Sequence, residues 1–161
     1  MSRNAIRGLA DIIRESFGLK NKKYFPVVEF LEHGLTQIDE NFVLEIREIQ
    51  EMTEYGIAYP KDKKIALRQD VYERACDGVP RDRFTIAHEI GHYIMHKPDR
   101  IGLARTAEKP KPYQDPEWQA NTFAGELLVP GYIIRGMALN QIVTECGVSR
   151  AVAEIQFKSL R

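Results

Sequence analysis

Neither sign of charge is in excess: Lys and Arg number 23, Asp and Glu number 23, and the formal net charge is zero. A protein that tracks nucleic-acid phosphates needs surplus cations, so this balance argues against a general DNA or RNA binder. Long hydrophobic runs are also missing. None approaches the ~20 apolar residues that span a bilayer. The first residues, from Met1 to Asp11, reach an acid before any apolar segment of export-signal length develops. No membrane or export role is expected, and a cytoplasmic location is. Cysteine is scarce. Cys76 and Cys146 stand far apart, neither with a Cys or His at metal-ligand spacing, which fits two reduced thiols better than a disulfide framework. Internal repeats and low-complexity tracts are absent from the sequence.

What is there suffices for one full core, since 161 residues are short for two. Hydrophobic residues at 43% and charged residues at 29% are ordinary globular usage. Ile6, Leu9, Ile13 and Phe17 recur at helical spacing over 5–17, and Gly18 follows as a stop signal. Pro26 suits the first turn of a second helix, filled by Val27, Val28, Phe30 and Leu31 and ended by His33 and Gly34. The alternation from Phe42 to Ile49 predicts a half-buried strand with Phe42, Leu44 and Ile46 on one side. Two more strands, 56–59 and 65–68, flank a polar turn at Lys61-Asp62-Lys63-Lys64.

A helix over 70–76 precedes a break at Gly78-Val79-Pro80, and a strong helix over 81–96 is stopped by Lys97-Pro98. Residues 98–116 hold four prolines and are expected to form a long loop, a candidate gate. Asp115 and Pro116 then open a helix that runs to about Val129, followed by two or three short helices over 132–161. The expected fold class is α+β: one mainly helical domain over 1–161 with a small three-stranded antiparallel sheet. Within it, 1–55 supplies N-terminal helices and the first strand, 56–130 the core, and 131–161 the C-terminal helices.

The segment that bears chemistry is His88-Glu89-Ile90-Gly91-His92. Residues i and i+4 lie on one helix face a turn apart, so two imidazoles can reach one zinc ion, with Glu89 beside them to address water. At about 100° per residue, Ile86, Ala87, Ile90, Tyr93 and Ile94 form one stripe, with Thr85, His88, Glu89, His92 and His96 opposite. One wall of the helix packs into the core and the other looks into a site.

A catalytic zinc needs a third protein ligand and an open position. His96 lies roughly 12 Å along the axis from His88, too far to share the ion. On the next helix Glu117 and Glu126 are nine positions apart, about 180° around the wheel, so only one is expected to face inward. Glu117 shares its side with Ala120, Ala124, Leu127 and Leu128. A carboxylate on an apolar face needs a partner, and zinc is a natural one, which makes Glu117 the third ligand.

The segment from Arg83 through His88-Glu89-Ile90-Gly91-His92 to His96 resembles the ImmA/IrrE family of zinc metallopeptidases. The stretch from Glu117 to Pro130 is similar to that family's second block, Glu-x-x-Ala-Asn-x-Phe-Ala-x-x-Leu-Leu-x-Pro. The similarity covers about 56–130 and continues more loosely at Cys146-Gly147-Val148-Ser149. It implies a zincin-like, specifically gluzincin-like, arrangement with the sheet beside the zinc-site helices. His88, His92 and Glu117 would hold zinc as cofactor, and Glu89 would act as base and acid. Asn121 would fill a position where related enzymes often have Asp and orient one histidine through its ring N–H, as a weaker acceptor than a carboxylate.

The resemblance further implies a zinc-dependent endopeptidase acting on or beside a helix-turn-helix repressor of the Xre type, in settings such as toxin–antitoxin pairs. This chain has no room for a DNA-binding domain of its own, so the repressor is expected as a separate protein, with no direct nucleic-acid or membrane partner. The alternative is a non-catalytic toxin or antirepressor that binds its repressor and uses the metal structurally.

Four further features have plainer expectations. His96 is expected to be a structural histidine. Tyr93, on the Ile stripe, and Tyr132 are expected to pack rather than donate to an oxyanion. Gly147-Val148-Ser149-Arg150 is expected to join two core helices, with Ser149 as N-cap, rather than to read DNA. Strand 65–68 is the expected place for an extended substrate to pair.

Overall fold

In the computed structural model, residues 1–96 and 111–160 are described. Ser2 opens the first helix by accepting the Ala5 N–H at 3.2 Å, and α1 runs Arg3–Ser16 with Ile6, Ala10 and Ile13 buried. Pro26 caps α2, Val27–Glu29, as the sequence implies. The helix does not end at His33 and Gly34. It widens into a π turn over Phe30–Gly34 and continues as α3, Leu35–Ile38. Gly34 is helical here and serves close packing: a Cβ on it would lie 2.3 Å from the Phe30 ring.

Strand β1, Val43–Arg47, is followed by β2, Gly56–Tyr59, and β3, Lys64–Arg68. The sheet order is β1-β3-β2, with β2 antiparallel to β3 and β1 parallel to it. The expectation of an all-antiparallel sheet is therefore corrected to a mixed one. The tight turn at 60–63 makes β2 and β3 a hairpin, and the long return from β1 lets that strand dock on the far edge of β3 in the same direction. Strand β3 is thus central, with Ile65, Ala66 and Leu67 fully buried. Both its edges are taken, so it cannot pair with a substrate. The edge strands are β1 and β2, and β2 is the one that packs against α5.

Helix α4, Gln69–Cys76, leads to α5, Pro80–Met95, with Pro80 at its first position. The stripe of Ile86, Ala87, Ile90 and Tyr93 is buried as expected. Tyr93 packs edge-on against Phe42 and donates to Asp39 at 3.0 Å, which makes it a packing residue. The expected loop lies outside the described residues as far as 110. Its remainder is a 3-10 turn, Pro112–Gln114, leading to Asp115, which caps α6, Pro116–Leu128, by accepting the Glu117 N–H at 3.0 Å.

Helix α6 lies between α5 and α1, and this corrects the expectation for its two glutamates. The buried one is Glu126, 1% exposed, facing α1, where Arg3 Nε and Arg7 Nε donate to it at 3.0 and 3.1 Å. A helix with neighbours on both sides has two inner faces, and the one against α1 is the face that covers a glutamate. Glu117, expected on the covered apolar side, is instead exposed, at 66%, and reaches the α5 histidines from the rim. The chain ends in α7, Gly131–Ile134, α8, Leu139–Cys146, and α9, Arg150–Lys158, whose N-cap is Ser149. Arg83 of α5, itself buried, donates to the carbonyls of Cys146 and Gly147, so the α8–α9 junction is anchored in the core. Both cysteines are free thiols. No helix among the described residues is long and apolar enough to cross a membrane.

Candidate metal centre

Helix α5 and its C-cap present His88, His92 and His96 at four-residue intervals, and α6 presents Glu117 and Asn121 at the same spacing. Packed together, the two helices bring His88, His92 and Glu117 to one point, where one ligand atom from each lies within 4.8 Å of the others. His88 Nε2 and His92 Nε2 are 3.0 Å apart. Glu117 Oε1 is 3.0 Å from His92 Nε2, and Oε2 is 3.3 Å from His88 Nε2. A tetrahedral ion with bonds of ~2.0–2.1 Å holds its ligand atoms roughly 3.3 Å apart, so the spacing suits a small cation. Two imidazoles and one carboxylate are also the donor mixture of a borderline metal rather than of calcium or magnesium, which favour all-oxygen shells.

Burial, reinforced by the neighbouring His88, holds His92 below the usual imidazole range, leaving a neutral ring with a lone pair to offer. The other nitrogen of each histidine is engaged. His88 Nδ1 is 2.8 Å from Asn121 Oδ1, so Asn121 orients the first histidine. His92 Nδ1 is 2.8 Å from His96 Nδ1, and His96 Nε2 is 3.0 Å from Gln119 Oε1. His96 is therefore no ligand, as its distance along the helix implies, yet it contacts one. The sequence signal for that role is the i, i+4 spacing from His92 rather than from His88.

Glu89 lies beside this cluster and is buried, 8% exposed. Burial raises its pKa to about 7, the backbone N–H of Ala58 on β2 partly offsets this, and the charge of Glu117 adds to it. The carboxyl is held against β2 because Gly56 has no side chain: a Cβ there would sit 2.9 Å from Glu89 Cγ and 3.0 Å from Leu67 Cδ2. Gly56→Ala is expected to lower stability by about 1–2 kcal/mol, read as a shifted urea midpoint. An unchanged midpoint would mean that β2 yields freely.

The cleft over these residues has a volume of about 490 Å³ and is lined by β2 at Gly56, Ile57 and Ala58, with Pro60, His88, Glu89, His92, His96 and Glu117. Tyr132 is not among them. Every residue expected at the site from the sequence, His88, Glu89, His92, Glu117 and Asn121, is found at or beside this cleft. His96, Gln119 and the glycine strand that backs Glu89 are what sequence reasoning missed.

Comparison with known proteins agrees with this geometry. The family model described as Peptidase_M78, IrrE N-terminal-like domain, matches residues 39–156, well over half of the chain. It takes in α4, α5 and α6, all three strands and most of the C-terminal helices. A search of curated proteins finds no match.

Proposed function

This chain belongs to the Peptidase_M78, IrrE N-terminal-like family, a metallopeptidase-type family, and from that premise we propose that it is a zinc-dependent endopeptidase. The observation that supports this most is the pairing of a three-donor cluster with a buried carboxyl of raised pKa, Glu89, in one open cleft. A purely structural metal site is closed by protein and has no use for such a neighbour.

His88, His92 and Glu117 would hold the zinc. When bound, zinc supplies Lewis acidity, making water acidic enough to ionise near neutral pH and polarising a carbonyl. Glu89 takes the proton of the attacking water and returns it to the leaving amine nitrogen. A pKa near 7 lets one group serve in both directions. The Ala58 N–H keeps the carboxyl in place between those transfers. Edge strand β2 offers its free backbone groups to an extended peptide laid along the cleft. A folded globular target would have to expose such a segment. In keeping with the resemblance of the sequence, we take the substrate to be a regulatory protein, a separate repressor of the Xre type.

The test is zinc content per chain together with cleavage of an unstructured protein. Wild type is expected to hold one zinc, to lose cleavage to a chelator and to regain it with zinc. Glu117→Ala is expected to lose most of the metal, because two imidazoles remain where three donors are needed. Zinc-free wild type after zinc is supplied, or cleavage indifferent to chelation, would overturn the proposal.

A further inference from the structure

Gln119 is buried at the start of α6, and its amide has two partners. Its nitrogen donates to the Tyr113 carbonyl at 2.7 Å, and a carbonyl can only accept. That fixes the amide: Oε1 is the atom that faces His96 Nε2 at 3.0 Å. A carboxamide oxygen also only accepts, so His96 donates from Nε2–H. A neutral imidazole carries one ring proton, so His96 Nδ1 is left as a lone pair, 2.8 Å from His92 Nδ1. His92 then donates from Nδ1–H. Its own lone pair falls on Nε2, the atom that faces His88 and Glu117.

We propose that His96 and Gln119 are positioning residues of the metal centre, forming with the Tyr113 carbonyl a relay that holds His92 in the tautomer whose Nε2 can bind a metal ion. The inference rests on the metal-centre reading above and adds a device to it. The two histidines are oriented by different means. His88 has a single amide, Asn121, on the exposed side of α6. His92 has a chain of three groups that ends on a backbone carbonyl in the turn before α6. That turn also leads into Glu117, so tautomer control and the carboxylate ligand share one short segment.

A merely structural His96, closing the end of α5, would matter for stability alone, and the test separates the two. Long-range ¹⁵N–¹H spectra of the metal-free protein report which nitrogen of His92 bears the proton, and competition with a chromophoric chelator reports zinc affinity. Wild type is expected to show Nδ1–H at His92. In His96→Ala the tautomers should mix and zinc affinity should fall about 10–100-fold. Gln119→Leu, which touches no ligand, should show the same mixing with a smaller loss. His96→Asn, which places an acceptor oxygen near the lost Nδ1, should restore both readouts and carries the test should the alanine variant not fold.

Nε2–H at His92 in wild type would overturn the relay. So would zinc affinity within about twofold of wild type in both His96→Ala and Gln119→Leu. The spectra need no metal. Nδ1–H in wild type that mixes in the variants upholds the relay even where the wild type takes up no zinc, and that last result would fell the metal-centre reading alone.

Discussion

Glu89→Gln is expected to keep its zinc and its fold and to lose about 10²–10⁴-fold in the rate of peptide cleavage. The amide is isosteric and retains an oxygen to accept the Ala58 N–H, so β2 and α5 stay in register. What it lacks is the capacity to take a proton from water and hand it on. Burial disfavours the charged form of Glu89, so a neutral amide relieves a cost, and the melting temperature should stay level or rise. Cleavage kinetics, metal content and a thermal melt on the same preparation make the measurement. Cleavage at wild-type rates would remove Glu89 from the chemistry. Full biological activity without cleavage would favour a protein that works by binding its partner.

Arg83→Leu should cost about 3–4 kcal/mol of stability, the largest loss expected from one substitution outside the cleft. The guanidinium is buried and reaches two separate parts of the chain. One nitrogen donates to the carbonyl of Cys146 at 2.9 Å and to that of Gly147, and the other donates to the carbonyl of Phe25. Its face lies on the Tyr24 ring, 3.8 Å from the centroid. Leucine fills much of the space and takes the guanidinium donor from the Cys146 and Gly147 carbonyls, while the Phe25 carbonyl keeps the Val27 N–H at 2.9 Å. Arg83→Lys should recover little, because one ammonium cannot reproduce a planar fork that spans two segments. Urea denaturation decides it, and a loss below about 1 kcal/mol would show that water replaces the lost bonds.

The three-donor cluster was legible in the sequence because helical spacing is a strong geometric rule. His88 and His92 must share a face, and Glu117 sits where Asp115 and Pro116 start a helix. The mixed sheet was not. Alternation places Phe42, Leu44 and Ile46 on one side, yet Ile46 is 40% exposed, and the pattern does not tell which neighbour the strand chooses or in which direction. Gly34 looked like a stop because glycine ends many helices; only the Phe30 ring beside it shows why glycine is needed. The wheel separates Glu117 from Glu126 but does not tell which is covered: α6 has two inner faces, and the α1 side buries Glu126 while Glu117 stays exposed. Distance along the helix separates His96 from His88, eight residues away, and says nothing of His92, the residue it contacts at 2.8 Å.

The family match begins at residue 39, but the folding unit begins earlier. Ile6, Ala10 and Ile13 of α1, with Phe25, Phe30 and Leu31, are buried members of the same core as Ile90 and Leu127. Arg3 and Arg7 are what neutralise the carboxylate of Glu126. A fragment trimmed to the matched residues would carry His88, His92 and Glu117 and yet expose one flank of α6, with Glu126 left without Arg3 and Arg7. The matched residues and the buried core have different borders in this protein. Helix α1, ahead of the matched residues, packs along the helix that supplies Glu117, so the placement of that carboxylate rests on chain outside them.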